Sequence, residues 1–146
     1  MGEAVRAAWR AGGGGEVLEV RSDADPPEEL SAGWLLRGED ALPELEREAL
    51  RRARGRVLDV GAGAGAHALP LQSRGLTVTA LERSAAAVEV LRARGLRDVR
   101  LGDARDGPGP GSWDAGGRWD TILLLMNGTT LVGSPDALRA LLEASA

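Results

Sequence analysis

The chain has no cysteine, no lysine, no phenylalanine and no tyrosine. Without cysteine there are no disulfides, no thiolate metal ligands and no cysteine nucleophile. Without lysine there is no Schiff-base chemistry, and all 18 cationic side chains are arginine. With a single histidine as well, no metal site is expected. The four aromatic residues are all tryptophan. Alanine, glycine and arginine dominate, which reads as the codon preference of a GC-rich genome. No apolar run reaches the roughly 20 residues that span a bilayer. The start, Met1-Gly2-Glu3-Ala4-Val5-Arg6, lacks the apolar segment of a signal peptide. Arg6 also stands where a myristoylation signal has Ser or Thr. These absences predict a bacterial cytoplasmic protein with no membrane partner. The net charge of −4 and a sequence pI of about 5.1 give no basic footprint for nucleic acid. Arg47, Arg51, Arg52, Arg54 and Arg56 do cluster, as a solvated helix face with cations toward its C-terminus.

What remains is globular. Hydrophobic residues make up 43% of 146 positions. A chain of this size buries roughly 70% of its unfolded surface, enough for one domain with a core.

The most informative stretch is Val57-Leu58-Asp59-Val60-Gly61-Ala62-Gly63-Ala64-Gly65. A short apolar strand runs into glycines at alternate positions, and an apolar, alanine-rich run follows. Glycine permits positive φ and lets backbone approach a ligand with no Cβ in the way. The free N–H groups of the following helix would face whatever sits over the turn. Gly61, Gly63 and Ala66 also fit the dinucleotide pattern G-x-G-x-x-G/A, with Glu82 at a ribose-holding distance. Asp59 separates the two readings. A carboxylate at the end of an apolar strand suits a ligand with a cationic amino-acid group, or an ordered water bridging to one.

Strand and helix signals alternate from there. Strands are expected at residues 56–60, 77–81, 98–101 and 121–126, and helices at 64–74, 85–94 and 135–144, with Ser134 as N-cap and Pro135 in the first position. Strands alternating with helices imply a parallel sheet with right-handed crossovers. Upstream, residues 2–11 suit a short helix, 16–20 a half-exposed strand and 21–33 a polar loop or flap. Pro43 opens a helix running to about residue 54. Residues 106–117, rich in glycine and proline, read as a loop.

The pattern D-x-G-x-G-x-G after an apolar strand resembles the first motif of the class I S-adenosylmethionine-dependent methyltransferases. The resemblance continues in order. Leu76-Thr77-Val78-Thr79-Ala80-Leu81-Glu82 is similar to their second strand, Asp98-Val99-Arg100-Leu101-Gly102-Asp103-Ala104 to their third, and Trp119-Asp120-Thr121-Ile122-Leu123-Leu124-Leu125-Met126-Asn127-Gly128 to their fourth. A group of bacterial methyltransferase-domain proteins is closer still. Its likeness runs from residue 16 onward through Trp34-Leu35-Leu36-Arg37, Leu42-Pro43-Glu44-Leu45-Glu46, Gly65-Ala66-His67-Ala68-Leu69, Leu71-Gln72-Ser73-Arg74-Gly75 and Leu124-Leu125-Met126-Asn127-Gly128. Pro70 departs from the pattern, standing inside the helix after the glycine loop, where proline can kink it.

The resemblance implies an α/β Rossmann-like fold, S-adenosyl-L-methionine as cofactor and a set of site residues. Asp59, Gly61, Ala62, Gly63 and Gly65 would hold the methionine end. Glu82, with Arg83, would take the ribose hydroxyls, and Asp103 with Ala104 the adenine. Met126 and Asn127 would lie beside the transferable methyl. Asn127 before glycine is equally a turn signal. Arg37 would reach the cofactor carboxylate or else lie at the surface, and His67 would act as a base or simply pack.

Such enzymes order their sheet 3-2-1-4-5-7-6, whereas this sequence stops at Ala146, one helix after the fourth strand. The expectation is a C-terminally truncated chain with strand order 3-2-1-4. Residues 1–55 would form a helical flap over the cofactor site and residues 56–146 the cofactor-binding half-domain. The exposed edge of the fourth strand would pair with a second copy or be covered by the N-terminal segment. The function expected is methyl transfer to a small-molecule acceptor. The alternatives are a cofactor-binding but catalytically incompetent interaction module and, third, a nicotinamide-dependent oxidoreductase fragment.

Overall fold

The computed structural model describes residues 1–21, 26–106, 118–126 and 133–145. Helix α1 spans Gly2–Arg10 and buries Ala4, Val5 and Ala8, one face at helical spacing. Strands β1 (Val17–Val20) and β2 (Glu28–Ser31) form an antiparallel pair, with Val17 opposite Ser31 and Val20 opposite Glu28. Two 3₁₀ turns, Ala32–Leu36 and Glu39–Ala41, lead into α2 (Glu44–Arg52). The order is then β3 (Arg56–Val60), α3 (Ala68–Ser73), β4 (Thr77–Glu82), α4 (Ala85–Ala93), β5 (Asp98–Leu101), β6 (Thr121–Leu123) and α5 (Pro135–Ser145).

The central sheet is parallel and ordered β5-β4-β3-β6, the expected 3-2-1-4. Val57 lies level with Val78 and Thr121, and Asp59 with Ala80 and Leu123. Helices cover both faces of such a sheet, so its central strand is apolar almost throughout. On one face Val57, Val78, Ala80 and Val99 pack with Leu71, Val88 and Leu91, and with Leu42 and Leu50 from the α2 region. On the other, Leu58, Val60 and Leu81 meet Trp119 and the α5 residues Ala137, Leu138 and Leu141. Helix α1 packs against α4, where Val5 joins Val90 and Ala64.

Three expectations need correction. The stretch expected to be a flap contains β2, whose run of charge hides it. Pairing with β1 satisfies the backbone groups on one of its edges while its side chains stay largely in water. Helix α3 starts at Ala68 and not at residue 64, because the glycines before it take positive φ. Pro70 therefore falls in the first turn, where no N–H is needed, and it causes no break. Pro43 opens α2 as its N-cap, as expected. Strand β6 ends at Leu123, and Met126 follows with φ 51°, incompatible with an extended run. Among the described residues β6 pairs only with β3. Residues 107–117, most of the expected glycine-rich loop, lie outside the described residues.

Candidate functional site

Parallel α/β sheets bind ligands beyond the carboxyl ends of their strands. Here that end carries the glycine loop between β3 and α3. Gly61, Gly63 and Gly65 take φ of 74°, 55° and 87°, a left-handed region costly to other residues. The last two differ in purpose. A Cβ on Gly65 would stand 2.9 Å from Leu91 Cδ2, so this glycine lets α4 approach. A Cβ on Gly63 would meet nothing nearer than the Gly61 carbonyl oxygen at 3.9 Å, so its outer face is open to a ligand. The loop is pinned below, because Gly61 and Ala62 both donate N–H to the Leu81 carbonyl, at 2.8 and 3.2 Å.

Glu82 ends β4 with its side chain buried. One carboxylate oxygen accepts from Gly63 N–H at 2.9 Å and the other from Ser84 N–H at 2.8 Å. It therefore braces the loop, and each oxygen keeps a lone pair for a hydroxyl donor. Asp59 is 2% exposed. Burial pushes its carboxyl up to about 6, opposed by the nearby His67, reinforced by Glu82 and opposed again by a bond from the Ala68 N–H. Its Oδ2 has no hydrogen-bond partner.

A second cluster closes over this end. Arg37 follows the Ala32–Leu36 turn and is 7% exposed. Its guanidinium stacks 3.5 Å from the Trp34 ring centroid, and Nη1 donates to the Trp34 carbonyl at 3.4 Å. Nη2 donates to Glu46 Oε2 at 2.9 Å and lies 3.0 Å from Met126 Sδ. Nε has no partner. The same Glu46 Oε2 lies 2.8 Å from His67 Nε2. Burial alone would push the Glu46 carboxyl up, but the bonds from His67 and Arg37 hold it below its ordinary value. Arg94 ties the segment down, donating to the Ala64 carbonyl at 2.5 Å and to the Leu36 carbonyl at 2.9 Å.

The structure thus gathers Asp59, Gly61, Ala62, Gly63, Gly65, Glu82, Arg37 and Met126 around one end of the sheet. Asp103 and Arg83 come within 3.8 Å of each other, but the Asp103 carboxylate is engaged by Arg105 through its backbone N–H and Nε, both at 3.0 Å, and Nη2 at 2.5 Å. Those bonds hold the Asp103 carboxyl down at about 2. Ala104 opens a short 3₁₀ turn beside it. Asn127 lies outside the described residues.

Glu46 and Arg94 were not singled out from sequence. The signal was present. Glu46 sits four residues before buried Leu50, and Arg94 four after buried Val90, so both lie on inward stripes. Among the described residues no cluster of acidic and histidine side chains could hold a metal. Among the same residues no helix is long and apolar enough to cross a membrane.

Comparison with known proteins shows which family and fold the chain shares. Residues 57–146 match the family described as "Methyltransferase domain". A Methylorubrum extorquens protein named protein-L-isoaspartate O-methyltransferase is 35% identical over 147 aligned positions, covering 97% of this chain and 60% of its own. A Methylorubrum populi protein of the same name is 38% identical over 121 positions, covering 80% of this chain and 53% of its own. The crystal structure of a Bacteroides fragilis SAM-dependent methyltransferase in complex with S-adenosyl-L-homocysteine superposes with a TM-score of 0.82. It is 34% identical, covering 98% of this chain and 58% of that one. The chain spans 60% or less of the length of these three relatives. With the family match running from β3 through α5, the chain belongs to the class I S-adenosylmethionine-dependent methyltransferase domains.

Proposed function

We propose that the chain binds S-adenosyl-L-methionine at the carboxyl ends of β3 and β4 and serves methyl transfer to a small-molecule acceptor. The observation that carries this reading is a pair of buried, unpartnered polar atoms of opposite charge, Asp59 Oδ2 and Arg37 Nε. A buried charged group without a full set of partners is costly. A zwitterionic amino-acid end offers each what it lacks, with its ammonium toward Asp59 and its carboxylate toward Arg37. The open face of Gly63 and the remaining lone pairs of Glu82 fit the rest of such a ligand. On this reading Gly61, Ala62 and Gly65 complete the loop, Glu82 and Arg83 take the ribose side, and Asp103 and Ala104 take the adenine. Met126, in contact with Arg37, lies on the methyl side, and Asn127 is assigned there by the sequence resemblance alone.

A cofactor held by these residues would supply the methyl group from a sulfonium, with a neutral thioether as the leaving group. The protein's part is then placement and electrostatics, which needs no lysine, cysteine or tyrosine. Residues 1–55 act as a cap, and the contact of Arg37 with Met126 draws it across the end of β6. A contact that narrows the approach beside β6 favours a small acceptor over a residue in a folded protein. The name shared by the two Methylorubrum relatives favours a second reading, an isoaspartyl carboxylate as acceptor.

Calorimetric titration with S-adenosylhomocysteine tests the cofactor reading, with NAD as the competing ligand. Saturable binding that is lost in Glu82→Ala is expected; preference for NAD would overturn it. Labelled-methyl transfer to an isoaspartyl peptide, set against a panel of small hydroxyl and amine acceptors, separates the two acceptor classes.

A further inference from the structure

We propose that Glu46 is a positioning residue that fixes Arg37 for the cofactor's carboxylate, an inference resting on the cofactor reading above. Arg37 is a long, rotamer-rich side chain at the end of a 3₁₀ turn, with no strand or helix of its own to orient it. Its orientation is set instead by Trp34 against the guanidinium plane and by Glu46 on Nη2. The other contact of Nη2, Met126 Sδ, is a weak acceptor. What this arrangement leaves over is Nε, buried and without a partner, a charged donor held ready for an anionic atom.

Glu46 is itself anchored at a point that matters. Its Oε2 also receives His67 Nε2, two residues past Gly65 and immediately before α3. One carboxylate oxygen therefore joins the cap to the start of the helix that follows the glycine loop. With its side chain only 15% exposed, Glu46 is shielded from the screening that weakens surface ion pairs. Neutralising the acid keeps its shape but weakens both bonds, and it frees Arg37 to turn away from the loop.

The test is a double-mutant cycle on S-adenosylhomocysteine affinity, measured by calorimetry on the full chain. Glu46→Gln and Arg37→Ala are each expected to weaken binding about tenfold or more, in the range for loss of a buried charged hydrogen bond. The double variant should be no weaker than Arg37→Ala alone. Glu46→Asp, which keeps the charge on a shorter stem, should bind between wild type and Glu46→Gln. Melting of each ligand-free variant reads any structural damage separately. Fully additive losses, an Asp variant no better than Gln, or unchanged binding in Glu46→Gln would overturn the proposal. Tighter binding in Glu46→Gln would also overturn it, showing that the acid's charge opposes the ligand and its placement is immaterial. A wild-type chain that does not bind S-adenosylhomocysteine would instead overturn the cofactor reading, and this proposal with it.

Discussion

Asp59 and Asp103 are carboxylates displaced in opposite directions, and each makes stability depend on pH in its own window. Asp59 titrates at about 6 when folded because burial disfavours its charge. Its unfolded value is about 3.9, so the folded state holds the proton more tightly and stability falls as pH rises from about 4 to 6. Asp59→Asn should abolish that slope in the ligand-free protein and raise stability above about pH 6. Melting temperatures of both proteins across this range check it, and parallel curves would refute it. Asp103 is held at about 2 by Arg105, so its contribution is present above the unfolded value and is lost only as pH falls toward 2. Reading Asp59 from sequence was straightforward, since an acid inside an apolar strand stands out. Glu46 did not stand out. Helix α2 carries other acids paired with arginines in water, Glu44 with Arg47 and Glu48 with Arg52, and only the position of Leu50 tells which acid faces inward.

At the scale of the element, the glycine loop divides its labour, and substitution should show it. Gly65→Ala adds left-handed strain to a 2.9 Å approach on Leu91. About 3 kcal/mol of lost stability is expected from strain and overpacking together. Gly63→Ala meets no neighbour and should cost only about 1 kcal/mol, while losing most ligand affinity. Chemical denaturation paired with calorimetry checks both, and equal losses of stability would contradict this division. The loop's place was legible because glycine spacing and strand character coincide there. The end of β6 was not, because the apolar run at residues 121–126 fits an extended strand equally well until Met126 takes positive φ. β2 was invisible for the opposite reason, since three of its four residues are polar and its stability comes from pairing with β1.

In the whole molecule, alternating strand and helix signals sufficed to order the sheet, because right-handed crossovers leave few topologies. How the N-terminal segment packs was beyond such rules. It rests on α4 and reaches the site through Arg37 and Arg94, contacts set by side chains distant in sequence. Among the described residues the outer edge of β6 carries no partner strand. Unpaired edges template association, so the chain is expected to self-associate as concentration rises. Sedimentation velocity over a concentration series checks this. A single non-associating species with rapid amide exchange at Thr121–Leu123 would refute it.

The stacking of Trp34 on Arg37 has an optical consequence. A protein without tyrosine emits ultraviolet fluorescence through tryptophan alone. Trp34 is 36% exposed and lies 3.5 Å from the guanidinium that the proposed ligand would engage. Trp9 and Trp119 lie beside other arginines, Arg94 for the first and Arg56 and Arg100 for the second. If the proposed ligand engages Arg37, the emission of the indole stacked on it is expected to change, and a label-free fluorescence titration with S-adenosylhomocysteine checks this.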